Sequence, residues 1–364
     1  MNILIITGSL SGGGTERVSV ILANFLSEKG HDISISIFRS GEINYTPGKN
    51  VKIHKLPSHK IRFKSSIAQK ISYSVKDFLA LKRIVEKFNI KKVISFSNPP
   101  AVLMLLLVKQ TYLISSKRNY PPDSTSFIEK QVFSRSKTIV FQTPEQMEFY
   151  NTKIRKKGVI LHNPILENLP GLYSQNKKMR KKEIVTFCRL ARQKNLLMLL
   201  DGFAAIHEQF PDYILTIYGD RSVKDSSYQG ELEEHIAALQ MGHVIQIKKF
   251  TNDIHSLVVD ATCFVLTSDY EGISNSMLEA MAIGLPVICT DCKGGGARAF
   301  INNNENGILI PVNDRDALSR ALVYIISNPE EAKKMGEKAL EISDLLSQEK
   351  ICNKWMEILL GKGD

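Results

Sequence analysis

No stretch of this sequence is long and apolar enough to cross a bilayer. The longest apolar run, Ala101 to Val108, falls well short of the roughly 20 residues a membrane helix needs. No basic segment precedes the apolar start at Ile3 to Ile6, so that start reads as a first strand and not a signal peptide, and the chain is expected in the cytoplasm. Cysteine is scarce and odd in number: five, at positions 188, 263, 289, 292 and 352, mostly within apolar segments. That fits reduced thiols rather than a disulfide framework. Cys289 and Cys292 form a lone CxxC without a second pair or a nearby histidine, which falls short of a zinc site. No DxD-type acidic pair follows a strand in position to hold a metal, so no metal is expected.

Acidic residues are also scarce locally. Between positions 51 and 92 there are twelve lysines or arginines against only Asp77 and Glu86. Phe63, Tyr73 and Phe78 are interleaved with them. This is the composition of an interfacial segment drawn to anionic lipid headgroups, or of a solvated basic face. No nucleic-acid-binding motif accompanies it, so a nucleic-acid partner is not expected. The formal net charge of +11 therefore sits largely on the first half.

What is present is a repeated alternation of short apolar strands and amphipathic helices over 364 residues, enough for two α/β domains of about 150 to 200 residues each. Asn2 to Thr7 is a strand that runs into Gly8 and a cluster at Gly12, Gly13 and Gly14. Ser11 or Thr15 then leads into a helix from Glu16 to Lys29, and Ile33 to Phe38 is the second strand. The spacing is not GxGxxG, and the second strand ends in Phe38, Arg39 and Ser40 with no acid for a ribose. A nicotinamide dinucleotide is thereby argued against. Further strands are read at 92–96, 112–115, 138–142 and 159–161. The run from 166 to 182, with Pro170, Gly171 and five basic residues, reads as a linker. The expected divisions are 1–165, the linker, 183–344 and a C-terminal helix at 345–364.

The most informative stretch is Ser268 to Pro286. Ala261 to Thr267 is a strand former rich enough to be buried on both faces. After it come Glu271 and Gly272, then a helix capped by Ser274 or Asn275 and ended by Gly284 and Pro286. A helix N-terminus at the carboxyl end of a parallel strand offers unpaired N–H groups to an anion, here around Asn275, Ser276 and Met277. Glu279 lies about one turn deeper, roughly 5 Å along the axis, where a carboxylate accepts hydroxyls such as those of a ribose. Glu271 stands on the other side of the same anion. In the loop after the strand Glu183 to Cys188, Arg189 and Lys194 are two cations able to neutralise a departing diphosphate. Acids flanking an anion-binding turn suggest a ligand built of sugar, phosphates and nucleoside.

These residues carry a resemblance. The run from Glu271 to Val287 has two glutamates separated by seven residues inside a pattern like EG(x)4(x)LEAMA(x)GLPV, and Arg189, Leu190, Lys194 and Asn195 match a GRLxxxKN pattern. The chain resembles the GT-B retaining glycosyltransferases of the glycosyl transferases group 1 family. GGGTERV resembles the GGxER turn of its bacterial polysaccharide-building members. The resemblance implies two Rossmann-like β/α/β domains facing a central cleft, with a C-terminal helix crossing back to the first. It implies transfer of a hexose or N-acetylhexosamine with retention, from a nucleotide-diphosphate sugar (UDP before GDP) to a lipid-linked oligosaccharide or other surface-glycan acceptor, with no cofactor. Glu271 and the amides of Gly272, Ile273 and Ser274 would hold the sugar. Gly13, Gly14 and Glu16 would approach the donor diphosphate or the acceptor, although Glu16 is equally a first-turn acid favoured by the helix dipole. Arg118 and Asn119, in SKRNYPP, would contact acceptor or sugar. This loop departs from the ISERN-like family segment by having Lys117 in place of an acid, and it has no histidine. The expected location is peripheral, on the inner face of the cell membrane. A nucleotide-sugar epimerase or phosphorylase on the same fold is the alternative, with a non-enzymatic basic binding protein behind it.

Overall fold

The computed structural model describes the chain except residues 12, 40, 42, 61–65, 109–110, 119, 121–125, 176–179, 221–224, 226 and 362–364. It divides into two compact units, Met1–Pro164 with Gln348–Asp364, and Ile165–Ser347.

The first unit is built on seven strands: β1 (Asn2–Thr7), β2 (Asp32–Ile37), β3 (Lys52–Lys55), β4 (Lys92–Ser95), β5 (Tyr112–Ser116), β6 (Thr138–Phe141) and β7 (Gly158–Ile160). They pair in the order β3-β2-β1-β4-β5-β6-β7, with parallel ladders such as Ile3 opposite Ile33. Isoleucine and valine dominate because helices cover both faces and leave no polar side to alternate toward. Leu4, Ile6, Val93 and Leu113 pack against Leu81, Val85, Val102 and Leu105 of the covering helices. Between Thr7 and the helix Gly14–Glu28 the chain turns with Gly13 at φ 126°, a left-handed conformation that favours glycine. Gly13 is also the N-cap, and among the described residues no side chain caps this helix.

The helix Ile67–Lys87 opens with a capping box. Ser66 Oγ accepts from Gln69 N at 3.2 Å, and Gln69 Oε1 accepts from Ser66 N at 2.9 Å. Leu81 and Val85 face the sheet, while Ile67, Ile71, Val75 and Leu79, four residues apart, remain exposed at 77, 60, 41 and 46%. The helix Gln348–Leu360 also belongs to this unit. Its Trp355 is fully buried against Phe96 at 5.6 Å between ring centroids, and Lys92 Nζ donates to the Leu359 carbonyl.

The second unit has six strands: β8 (Lys181–Phe187), β9 (Ile214–Tyr218), β10 (Ile245–Lys248), β11 (Ala261–Leu266), β12 (Val287–Thr290) and β13 (Ile308–Ile310). Their order is β10-β9-β8-β11-β12-β13, again parallel. Ile184, Val265 and Ile288 meet Phe203, Leu318 and Leu322 in its core. The stretch read as a linker carries a helix, Leu169–Gln175, and β8 begins within it at Lys181. Arg180, one of the five basic residues there, fastens it down by donating to the carbonyls of Ala261 at 2.9 Å and Gly284 at 2.6 Å. Lys177 and Lys178 lie outside the described residues.

In both sheets the strand order reverses direction once, between β1 and β4 and between β8 and β11. Loops leaving the carboxyl ends of such a strand pair diverge and open a crevice, the place where ligands bind in this class of sheet.

Candidate active site

In the second unit that crevice is formed by the loop after β8 and the loop after β11, and the two are stitched together. Thr267 Oγ1 donates to the carbonyls of Lys194 and Asn195 at 2.9 and 3.0 Å. The Asp269 N–H donates to the Gln193 carbonyl at 2.9 Å, and Gln193 Nε2 to the Tyr270 carbonyl at 2.7 Å. Asn195 adopts a left-handed conformation with φ 45°, caps the helix Leu196–His207 and donates to Asp269 Oδ1 at 2.8 Å. Asn tolerates that backbone better than most residues because its short polar side chain bonds locally. A third loop, after β12, closes underneath. Thr290 Oγ1 donates to the Ser268 carbonyl at 2.6 Å, and the Glu271 N–H to the Lys293 carbonyl at 3.0 Å. Gly296 lies against Gly272 so tightly that a Cβ there would stand 1.6 Å from the Gly272 carbonyl oxygen.

On this scaffold the helix Asn275–Ala282 starts with Ser274 as N-cap, its Oγ accepting from Met277 N at 3.4 Å and lying 2.9 Å from Ser276 Oγ. Gly284, at φ 73°, ends it, and the Leu285 N–H returns to the Ala280 carbonyl at 3.0 Å. Gly272, Ile273 and Ser274 are buried immediately before the helix, while Asn275 and Ser276 are partly open.

The two acids are held by different bases. Lys194 Nζ forms an ion pair with Glu271 Oε1, which also accepts from Ser268 Oγ at 3.2 Å. Lys194 is only 7% exposed. Burial opposes its charge, but the Glu271 carboxylate outweighs that and holds the ammonium above its ordinary pKa. Glu279 is 6% exposed, with Oε2 2.9 Å from His255 Nε2. A carboxylate only accepts, so the proton of that bond sits on Nε2.

His255 is the residue that sequence reasoning missed. It follows Asp253 and Ile254 directly, on the short helix Ile254–Val258, and only the fold brings it across to Glu279. Arg189 is exposed, and no hydrogen bond or ion pair engages its side chain among the described residues. The expected pair of diphosphate cations is thus one open guanidinium and one ammonium already matched to Glu271. Three buried cysteines flank these loops. Burial pushes the thiols of Cys263 and Cys292 up to about 12 and raises that of Cys289, so none is a thiolate at neutral pH.

The remaining expected residues lie in the first unit. Glu16 folds back over its own turn: a Cβ on Gly13 would lie 2.7 Å from Glu16 Oε2, and Ser9 Oγ donates to Oε1 at 3.3 Å. Gly14 is the first residue of the helix. Arg118, expected to contact acceptor or sugar, is 7% exposed. Its guanidinium lies over Phe96 and Trp355 at 5.2 and 5.5 Å and donates from Nη1 to Asn163 Oδ1 at 2.6 Å. Burial pulls its pKa down to about 9. Asn119 lies outside the described residues.

Comparison with known proteins follows the same outline. Residues 173–342 match the glycosyl transferases group 1 family. The chain is 26% identical to an uncharacterized glycosyltransferase of Haemophilus influenzae, across 96% of this chain and 97% of that one. It is also 26% identical to the N-acetylgalactosamine-N,N'-diacetylbacillosaminyl-diphospho-undecaprenol 4-alpha-N-acetylgalactosaminyltransferase of Campylobacter jejuni, across 97% and 98%. Among solved structures, Anabaena HepE in complex with UDP superposes with a TM-score of 0.78 at 16% identity, covering 99% of this chain and 100% of that one. Two parallel-sheet Rossmann-like units give this chain the GT-B architecture, and the segment that matches the glycosyl transferases group 1 family fills most of the second.

Proposed function

We propose that the chain transfers a hexose or N-acetylhexosamine from a nucleotide-diphosphate sugar, with retention and without a metal or cofactor, to a lipid-linked oligosaccharide or related surface glycan. The observation that carries this reading is the arrangement at the β8/β11 crevice. An open helix N-terminus and Arg189 favour a diphosphate, and Glu279, oriented by His255, has a carboxylate for a ribose. Glu271, fixed by Lys194 and Ser268, would face the sugar together with the amides of Gly272, Ile273 and Ser274.

UDP is the first nucleotide to try, because a solved structure of the same fold holds it. A lipid-linked acceptor is the first acceptor to try, because the Campylobacter relative is named for a diphospho-undecaprenol substrate. The chemistry asks the site to stabilise the charge that builds on the departing diphosphate. Arg189 and the helix amides supply fixed positive charge for it.

Contact with an anionic membrane surface belongs to the same reading. The exposed apolar row of the helix Ile67–Lys87, among Lys70, Lys76, Lys82 and Arg83, is the composition of an interfacial helix.

A panel of UDP- and GDP-sugars, read as a rise in Tm, tests the donor, since a ligand that binds only the folded state stabilises it. Turnover of the stabilising sugar is then followed with and without a lipid-linked acceptor. Interconversion of the free nucleotide sugar without acceptor would identify an epimerase instead. The absence of any nucleotide-dependent shift would reject the proposal.

A further inference from the structure

A cavity of about 870 Å³ opens at the amino-terminal edge of the first sheet, where the chain enters β5, β6 and β7. This is the edge opposite the strand ends at which ligands of such sheets bind. Its lining includes Tyr112, Arg135, Lys137, Thr138, Lys156 and Lys157, and among the described residues no carboxylate lines it. Four cations around one opening without an acid is an unbalanced arrangement, because like charges brought together repel unless something neutralises them.

Two of the four have a structural task. Arg135, the last residue of the helix Phe127–Arg135, donates to the Gln131 carbonyl at 3.1 Å. Lys157 donates to the carbonyls of Ser134 and Ser136 at 2.8 and 2.9 Å. Both satisfy the end of that helix, where unpaired carbonyls attract positive charge. Lys137 and Lys156 do not share this task. Both are exposed, and neither side chain makes a hydrogen bond or ion pair among the described residues. The crowding is felt at Lys157, whose ammonium is held below its ordinary pKa by burial first and then by Lys153 and Lys137. Thr138 and Tyr112, both hydroxyl-bearing, belong to the same lining. The volume is within the range of small-ligand sites.

We propose that this cavity binds a ligand carrying adjacent phosphate groups, with Lys137 and Lys156 as its principal contacts. The donors are compact ammonium groups and hydroxyls, suited to several phosphate oxygens at once and not to one flat carboxylate. The phosphates belong either to a soluble oligophosphate or to the headgroup of an anionic lipid.

The test is calorimetric titration of the full chain with inorganic tripolyphosphate, beside cosedimentation with vesicles containing cardiolipin, whose headgroup carries two phosphates. Each is run for the wild type, for Lys137→Ala with Lys156→Ala, for Arg189→Ala, and for Lys333→Ala with Lys334→Ala as a charge-matched control. The expected result is at least a fivefold loss of affinity in the Lys137/Lys156 variant and not in the Lys333/Lys334 control. Loss in the tripolyphosphate arm assigns a soluble ligand, and loss confined to the vesicle arm assigns a headgroup. Unchanged affinity in both arms, an equal loss in the control, or a loss seen only with Arg189→Ala overturns the proposal. The last of these results would leave the proposed donor site intact.

Discussion

Two neighbouring cations of the same loop have opposite physical situations. Lys194 is buried and paired with Glu271, whereas Arg189 is exposed and has no partner among the described residues. Removing one member of a buried ion pair strands the other, so Lys194→Ala is expected to cost about 3 kcal/mol in urea unfolding. Arg189→Ala should change stability by less than about 0.5 kcal/mol while lowering turnover about 100-fold, the loss typical of one missing charge-stabilising donor. A comparable stability loss in both variants would contradict this division.

The pair also fixes a pH dependence. The Lys194 ammonium is held above its ordinary value of 10.5 in the fold, so the folded state binds its proton more tightly than the unfolded chain does. The stabilisation is complete below the unfolded value and is lost as pH rises through the folded one. The stability gap between wild type and Lys194→Met, measured by urea midpoints, should therefore be constant at neutral pH and shrink only on the alkaline side.

At the scale of elements, the glutamate loop depends on a neighbour with no side chain. Gly296→Ala would drive a Cβ into the Gly272 carbonyl, and either the loop after β11 or the loop after β12 has to move. The expectation is a loss of at least about 1 kcal/mol, with weaker binding of the stabilising nucleotide sugar by thermal shift. A variant with wild-type stability and affinity would show that the contact yields. The C-terminal helix is held through Trp355, buried against Phe96 and under Arg118. Trp355→Ala should cost about 4 kcal/mol by the cavity it leaves. The loss should appear in the unfolding of the first unit, read by hydrogen exchange of β1 and β4.

The whole molecule carries a formal net charge of +11, and its exposed apolar row lies on the basic half. If the helix Ile67–Lys87 meets an anionic bilayer, two forces share the work. Electrostatic attraction weakens as the screening length shortens, from about 10 Å at 0.1 M salt to about 3 Å at 1 M, and apolar insertion does not. Binding to phosphatidylglycerol vesicles should therefore fall steeply with salt in the wild type. Ile71→Asp with Leu79→Asp should weaken it further at every salt concentration. Both sites are exposed at 60 and 46%, so the melting temperature should stay close to that of the wild type. Equal vesicle binding by variant and wild type would exclude this helix as the contact.

The sequence by itself determined what is local. Strands buried on both faces announce themselves as apolar runs rich in isoleucine, so β1 was legible to the residue. The cap at Ser274, the glycine stop at Gly284 and the Glu271–Glu279 spacing are written within one turn of helix and loop. The helix Ile67–Lys87 was less legible because its outward row is apolar and its inward one carries Asp77, which blurs the usual period. Only the tertiary structure decided who meets whom. His255 reaches Glu279 across 24 residues of chain, and Lys194 reaches Glu271 across 77. Arg118 goes inward to Trp355, and Arg180 leaves its apparent linker to clamp two carbonyls. A charged side chain has the same local signature whether it is solvated or buried. What separates the two is the partner that the fold brings to it, and that partner comes from a distant part of the chain.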